Sequence, residues 1–168
     1  MCGGCYEHER WRYDSLSHGK YFAVCNCRGG SLMSKSKGTR GEKKVVSWFE
    51  DAGWFSQRTG GSGAGTDRDR ADTIAMRPNE YGRSDVVVTE VKNRGATVRF
   101  GKDEIEQLEN VAEACGGLAL YITKPDLRSH PHMYAFTKDQ LKENKKSYSV
   151  TSKMIPGPSI QEQIESHF

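Results

Sequence analysis

Two carboxylates and a lysine carry the chemistry that this sequence offers. The run Asp85-Val-Val-Val-Thr-Glu-Val-Lys92 is apolar enough for a strand, and strand side chains alternate between faces. Val86, Val88, Glu90 and Lys92 then share one face, while Val87, Thr89 and Val91 share the other. Asp72 opens an earlier strand-like run over 72–77, with a turn signal from Asn79 to Gly82 between the two. A hairpin there brings Asp72 close to Glu90. Two converging carboxylates make a hard oxygen site for Mg²⁺ or Mn²⁺. Such an ion activates water and neutralises charge building on a phosphate. A neighbouring lysine, here Lys92, holds the water or stabilises that charge. The pattern points to phosphodiester hydrolysis. Glu-x-Lys alone is a common accident in strands and usually a solvated salt bridge, so the reading depends on Asp72 standing at hairpin distance.

The elements needed to position these groups can be read from periodicity. A helix is expected over 39–52, with Val45, Phe49 and Ala52 on one stripe and Trp48 widening it. Thr39 would cap it, with Glu42 as the capping-box carboxylate, and Gly53 would end it. A short strand fits 54–58, and a glycine-rich loop fits 59–65. After the hairpin, a strand fits 96–100. A second helix fits 102–115, with Ile105, Leu108, Ala112 and Cys115 on its apolar face, stopped by Gly116-Gly117. On that face Cys115 reads as core. Residues 118–123 read as a buried strand ended by Pro125. Residues 133–136 suit another strand, 137–144 a short helix, and the stretch beyond Pro156 an amphipathic turn or two through Ile160 and Ile164. The class is mixed α/β. The expected division is a cysteine-rich segment over 1–30, a polar linker over 31–38 and the main domain over 39–168.

With 168 residues the chain suits one domain and a small appendage. Its net charge of +3 says little about partners, but the distribution says more. Lys35, Lys37, Arg40, Lys43 and Lys44 cluster at the first helix. Arg58, Arg68 and Arg70 flank the glycine-rich loop, and Arg94 follows the catalytic-type strand. Such clusters neutralise phosphates, though any one alone reads equally as a solvated face. No apolar run has membrane-spanning length, and the first residues lack the apolar stretch of a signal peptide. A cytoplasmic location follows as the expectation. There, cysteines serve as metal ligands or free thiols rather than disulfides. Cys2-x2-Cys5 and Cys25-x-Cys27 give two thiol pairs suited to a structural Zn²⁺. His8 and His18 are alternative ligands, and a tail with reactive thiols is the alternative reading.

Asp72 with Glu90-Val-Lys92 resembles the PD-(D/E)xK signature of restriction-endonuclease-like nucleases. Within that group the sequence is most similar to archaeal Holliday junction resolvases of the Hjc type. The likeness includes Lys37-Gly-Thr-Arg-Gly-Glu42, Arg58-Thr-Gly-Gly-Ser-Gly63, Ala71-Asp72, Asp103-Glu-Ile-Glu-Gln107 and Tyr121-Ile-Thr-Lys-Pro125. It departs at Ala71, where the signature has proline, and in a longer stretch between Asp72 and Glu90. It does not reach the cysteine-rich front.

The resemblance implies a restriction-endonuclease-like mixed central sheet flanked by helices. It implies metal binding by Asp72, Glu90 and the Val91 carbonyl, and a water held by Lys92. Glu42 would join the acidic cluster, Ser62 would act from the loop near DNA, and Arg40 would meet phosphate, with Gln107 a further candidate. It also implies a homodimer acting on four-way DNA junctions, in an archaeal-type cell or a virus infecting one. The rivals are a nuclease of the same fold with another DNA substrate, and a non-catalytic DNA-binding scaffold.

Overall fold

In the computed structural model, which describes residues 32–59, 70–93, 97–124 and 132–168, the valine-rich run is the spine of the fold. The expectations placed on Cys2, Cys5, Cys25, Cys27, Ser62, Arg68 and Arg94 lie outside those residues. Lys37 is described only as helix backbone. Strand β1 (Phe55–Arg58) pairs antiparallel with β2 (Thr73–Pro78), and β2 with β3 (Ser84–Lys92). Between β3 and its parallel partner lies a crossover holding β4 (Thr97–Gly101) and helix α2 (Lys102–Cys115). That partner is β5 (Leu118–Thr123), which pairs antiparallel with β6 (Tyr134–Phe136). The sheet order is β1-β2-β3-β5-β6. A crossover of this length is what a parallel pair requires.

Both faces of β3 are covered, which explains its near-continuous apolar sequence. Val86 and Val88 pack with Ile105, Leu108 and Ala112 of α2 in one core cluster. Val87 and Val91 pack in the other with Val45 and Phe49 of helix α1 (Leu32–Asp51) and with Ile160 and Ile164 of helix α3 (Ile160–His167). The hairpin from β2 to β3 is locked at its turn. Buried Asp85 accepts from Arg77 Nη2 at 3.1 Å and Asn79 Nδ2 at 2.9 Å. Asn79 Oδ1 in turn accepts from the Tyr81 and Arg83 amides at 3.1 and 3.0 Å. This is the side-chain turn that asparagine favours. Pro78 pairs with Ser84, so the longer stretch between the two acids is a turn over 79–83.

Four local expectations are corrected. Helix α1 begins at Leu32, so 32–38 is helix rather than linker, and Thr39 and Glu42 lie too deep to cap it. The segment contains no proline, and its lysines, leucine and methionine are good helix formers that outweigh one glycine. Ala52 is exposed, because the chain leaves the helix there and reverses through Gly53 at φ 81°. Cys115 is exposed as well. It stands in the last turn of α2 before left-handed Gly116, beyond the buried stripe of Ile105, Leu108 and Ala112.

The fourth correction concerns 137–144, which is a single tight turn over Lys138–Gln140 followed by β7 (Lys142–Glu143). Leu141 is the one large apolar residue of that stretch, and a helix needs apolar partners a turn away. Strand β8 (Ser147–Thr151) was not anticipated. It sits between β4 and β7 in a second, three-stranded sheet.

Candidate active site

The β2–β3 register sets the two acids side by side. Thr73 stands opposite Thr89, and their hydroxyls meet at 2.5 Å in the buried layer. One residue further along, the Asp72 amide donates to the Thr89 carbonyl at 2.8 Å. The Asp72 Oδ2 accepts from the Val91 amide at 2.9 Å. Asp72 thus grips β3 on both sides of Glu90. The glycine-rich loop is rooted at the same place. The Thr59 amide donates to the Asp72 carbonyl at 3.1 Å, and its hydroxyl donates to the Ala71 carbonyl.

Burial and mutual repulsion leave this pair short of compensating charge. Burial pushes Glu90 up to about 8, and the Asp72 charge adds to the shift. Burial likewise raises Asp72; the Val91 amide opposes that, and Glu42 reinforces it. Carboxylates held this way favour either a proton or a cation between them. By that test they fit a hard divalent ion, which prefers carboxylate oxygens. Among the described residues, no group of three His, Cys, Asp or Glu side chains is arranged to hold a metal. The protein's own carboxylate contribution here is the Asp72–Glu90 pair.

Lys92 is turned to the β4–α2 corner. Its ammonium donates to the Arg99 carbonyl at 3.2 Å and to Glu104, and lies 5.2 Å from the centre of the Phe100 ring. Sequence reasoning missed Glu104. Its position at the start of α2 reads as helix capping, and it does cap, with Oε2 accepting from the Gly101 amide at 2.6 Å. Gln107, the candidate taken from that helix, is exposed.

Glu42 reaches the site from α1. It is ion-paired with Arg58, whose Nε donates to Oε2 at 2.7 Å, and its charge is felt by both Asp72 and Glu90. Arg58 is therefore already engaged within the protein. The neighbouring Gly41 is buried, and a Cβ there would stand 2.1 Å from Asn93 Nδ2, so the helix touches the end of β3 closely. Arg40 and Lys43 are exposed and line a shallow depression with Lys44 and Trp48. Arg70 is half-buried just before Asp72. Asp72, Glu90, Lys92 and Glu42 are thus gathered at one end of the sheet, with Arg40 and Lys43 on the outer surface of the helix that carries Glu42.

A mixed α/β sheet with paired acids and a lysine at the end of its central strand defines a restriction-endonuclease-like protein. The profile of the archaeal Holliday junction resolvase family (Hjc) matches residues 33–167, and the chain belongs to that family. Among solved structures it is similar to that of Archaeoglobus fulgidus Hjc, a Holliday junction resolvase from an archaeal hyperthermophile, determined at 1.6 Å resolution. The two are 26% identical, with a TM-score of 0.63 over 75% of this chain and 98% of the other. No curated protein matches the sequence. Among the described residues, no helix is long and apolar enough to cross a membrane.

Proposed function

We propose that this protein is a divalent-metal-dependent endonuclease that resolves four-way DNA junctions by symmetric phosphodiester hydrolysis. The observation that carries the reading is the half-buried Asp72–Glu90 pair, with Lys92 two residues on, in a chain of the Hjc family. Asp72, Glu90 and the Val91 carbonyl would hold Mg²⁺ or Mn²⁺. The ion, when bound, would activate a water and offset charge on the scissile phosphate. Lys92 orients that water, and Glu42 adds to the acidic cluster from α1. Ser62 and the cations Lys37, Arg40, Lys43, Arg68, Arg70 and Arg94 meet the DNA, with Arg58 joining them when it leaves Glu42. A homodimer matches the two symmetric cuts that a junction needs, and phosphate contacts recognise its shape rather than its sequence. The cytoplasm is the compartment that suits such an enzyme.

The test is a synthetic four-way junction incubated with the protein and Mg²⁺, with strand mapping of the products. Paired nicks at symmetric positions are expected, as is preferential junction binding when linear duplex of the same sequence competes at moderate salt. Equal affinity for duplex, or monomeric protein by light scattering, overturns the junction assignment in favour of a nuclease with another DNA substrate.

A structural zinc on Cys2, Cys5, Cys25 and Cys27 belongs to the same proposal, because four thiolates in two close pairs suit a tetrahedral ion. Elemental analysis of protein expressed with ample metal should find zinc, and its loss when Cys25 and Cys27 are both replaced by serine. Zinc-free wild-type protein would end that assignment.

A further inference from the structure

Lys92 has a long flexible stem and two acidic neighbours that would take its charge. Asp72 and Glu90 both lie within electrostatic reach of its ammonium. An ammonium settled between them would occupy the place that a metal ion needs. The structure holds it elsewhere, on the Arg99 carbonyl and Glu104 Oε2, beside the Phe100 ring. These partners are themselves fixed. Phe100 is fully buried and meets Tyr121 edge-on, with ring centres 5.3 Å apart. The Arg99 carbonyl belongs to β4, which is paired with β8. Glu104 is tied to the start of α2 through the Gly101 amide.

We propose that Glu104 is a positioning residue that anchors the Lys92 ammonium at the β4–α2 corner, and so leaves Asp72 and Glu90 to a divalent cation. The physical reason is competition among carboxylates for one mobile charge. A lysine ammonium is a point charge with large rotamer freedom, and it redistributes to the nearest acceptors when one is removed. Without Glu104 those acceptors include the metal-binding pair. The consequence for catalysis rests on the nuclease reading above, whereas the anchoring itself does not.

Two variants separate the roles. Glu104→Gln keeps an oxygen acceptor for both the ammonium and the Gly101 amide, without the charge. Glu104→Ala removes both contacts. The first measurement is the ¹H–¹⁵N ammonium spectrum of metal-free protein, with Lys92 assigned by its absence in Lys92→Met. In Glu104→Ala the Lys92 signal should move, and it should move again when Glu90→Gln is added. In Glu104→Gln, which keeps an acceptor but not the charge, it should move less than in Glu104→Ala.

The second measurement is the Mg²⁺ concentration for half-maximal junction cleavage. It should rise roughly tenfold in Glu104→Ala, the scale on which outer partners tune metal affinity, and less in Glu104→Gln. Metal-free junction affinity should not fall, since the substitution only removes negative charge from the face that meets phosphate. Loss of helix capping alone would lower the melting temperature of Glu104→Ala without moving the magnesium midpoint. A Lys92 signal identical in wild type and folded Glu104→Ala overturns the proposal, as does an unmoved midpoint. Wild-type protein that cuts no junction would instead overturn the nuclease reading, and the ammonium spectrum would still decide the anchoring.

Discussion

Glu90→Gln should lower junction cleavage by roughly a hundredfold to a thousandfold, the cost of removing one preorganised electrostatic group, while junction affinity holds or tightens. Affinity comes mostly from dispersed phosphate contacts, and the substitution removes a negative charge where a phosphate must approach. A folded Glu90→Gln protein cutting at the wild-type rate would show that the acid pair is not the reaction centre.

The same substitution makes a second, opposite expectation about stability. Glu90 is raised in the folded protein from its ordinary 4.5 to about 8. Its contribution to stability is therefore complete below about 4.5 and is lost as pH rises through about 8. Metal-free Glu90→Gln should melt higher than metal-free wild type near pH 8, with the difference fading toward pH 5. Mg²⁺ should narrow the gap by stabilising the wild type. Melting curves at the two pH values, with and without Mg²⁺, check this. A variant less stable than wild type at pH 8 without metal would show that the pair is not under electrostatic stress.

Phe49→Ala should cost about 3–5 kcal/mol, the range for a large aromatic removed from a packed core. Phe49 is fully buried, and its ring meets Trp48 at 5.2 Å and Trp54 at 5.7 Å between centres. It also anchors the end of α1, since the Trp54 amide donates to its carbonyl at 2.9 Å. Small domains have about 5–15 kcal/mol in total, so the variant stands near the edge of folding. Phe55→Ala is the contrasting control. Phe55 is 60% exposed, and surface substitutions usually stay within about 0.5 kcal/mol. Urea denaturation of both variants measures the difference, and equal losses would place the core wrongly.

The acid pair and its strand were legible because strand alternation has a period of two and little else competes with it. Val86, Val88, Glu90 and Lys92 fall on the face assigned from sequence, with the first two in one core and Val87 and Val91 in the other. Glu104 was not legible. A carboxylate near a helix start already has a local explanation in capping, and the direction a lysine points is set by tertiary neighbours. Strand β8 was hidden for a related reason. Its longer pairing is with β4, far back in the chain, and its local hairpin partner β7 is only the two residues Lys142–Glu143, too short to leave a strand pattern. The early start of α1 was obscured by Gly38 and Thr39, which look like a helix boundary to local rules but are carried inside by the residues on either side.

The hairpin between β2 and β3 has a consequence for how the site assembles. Asp72 and Glu90 meet through one tight turn, and short loops cost little entropy to close. The parallel β3–β5 pairing and the β4–β8 pairing need much longer closures, and such contacts govern folding speed. On a chain emerging from the ribosome, both acids are present once Lys92 is out, before the corner that restrains that lysine has been made. The connectivity thus makes the contact between the carboxylates more local than the corner that restrains their lysine.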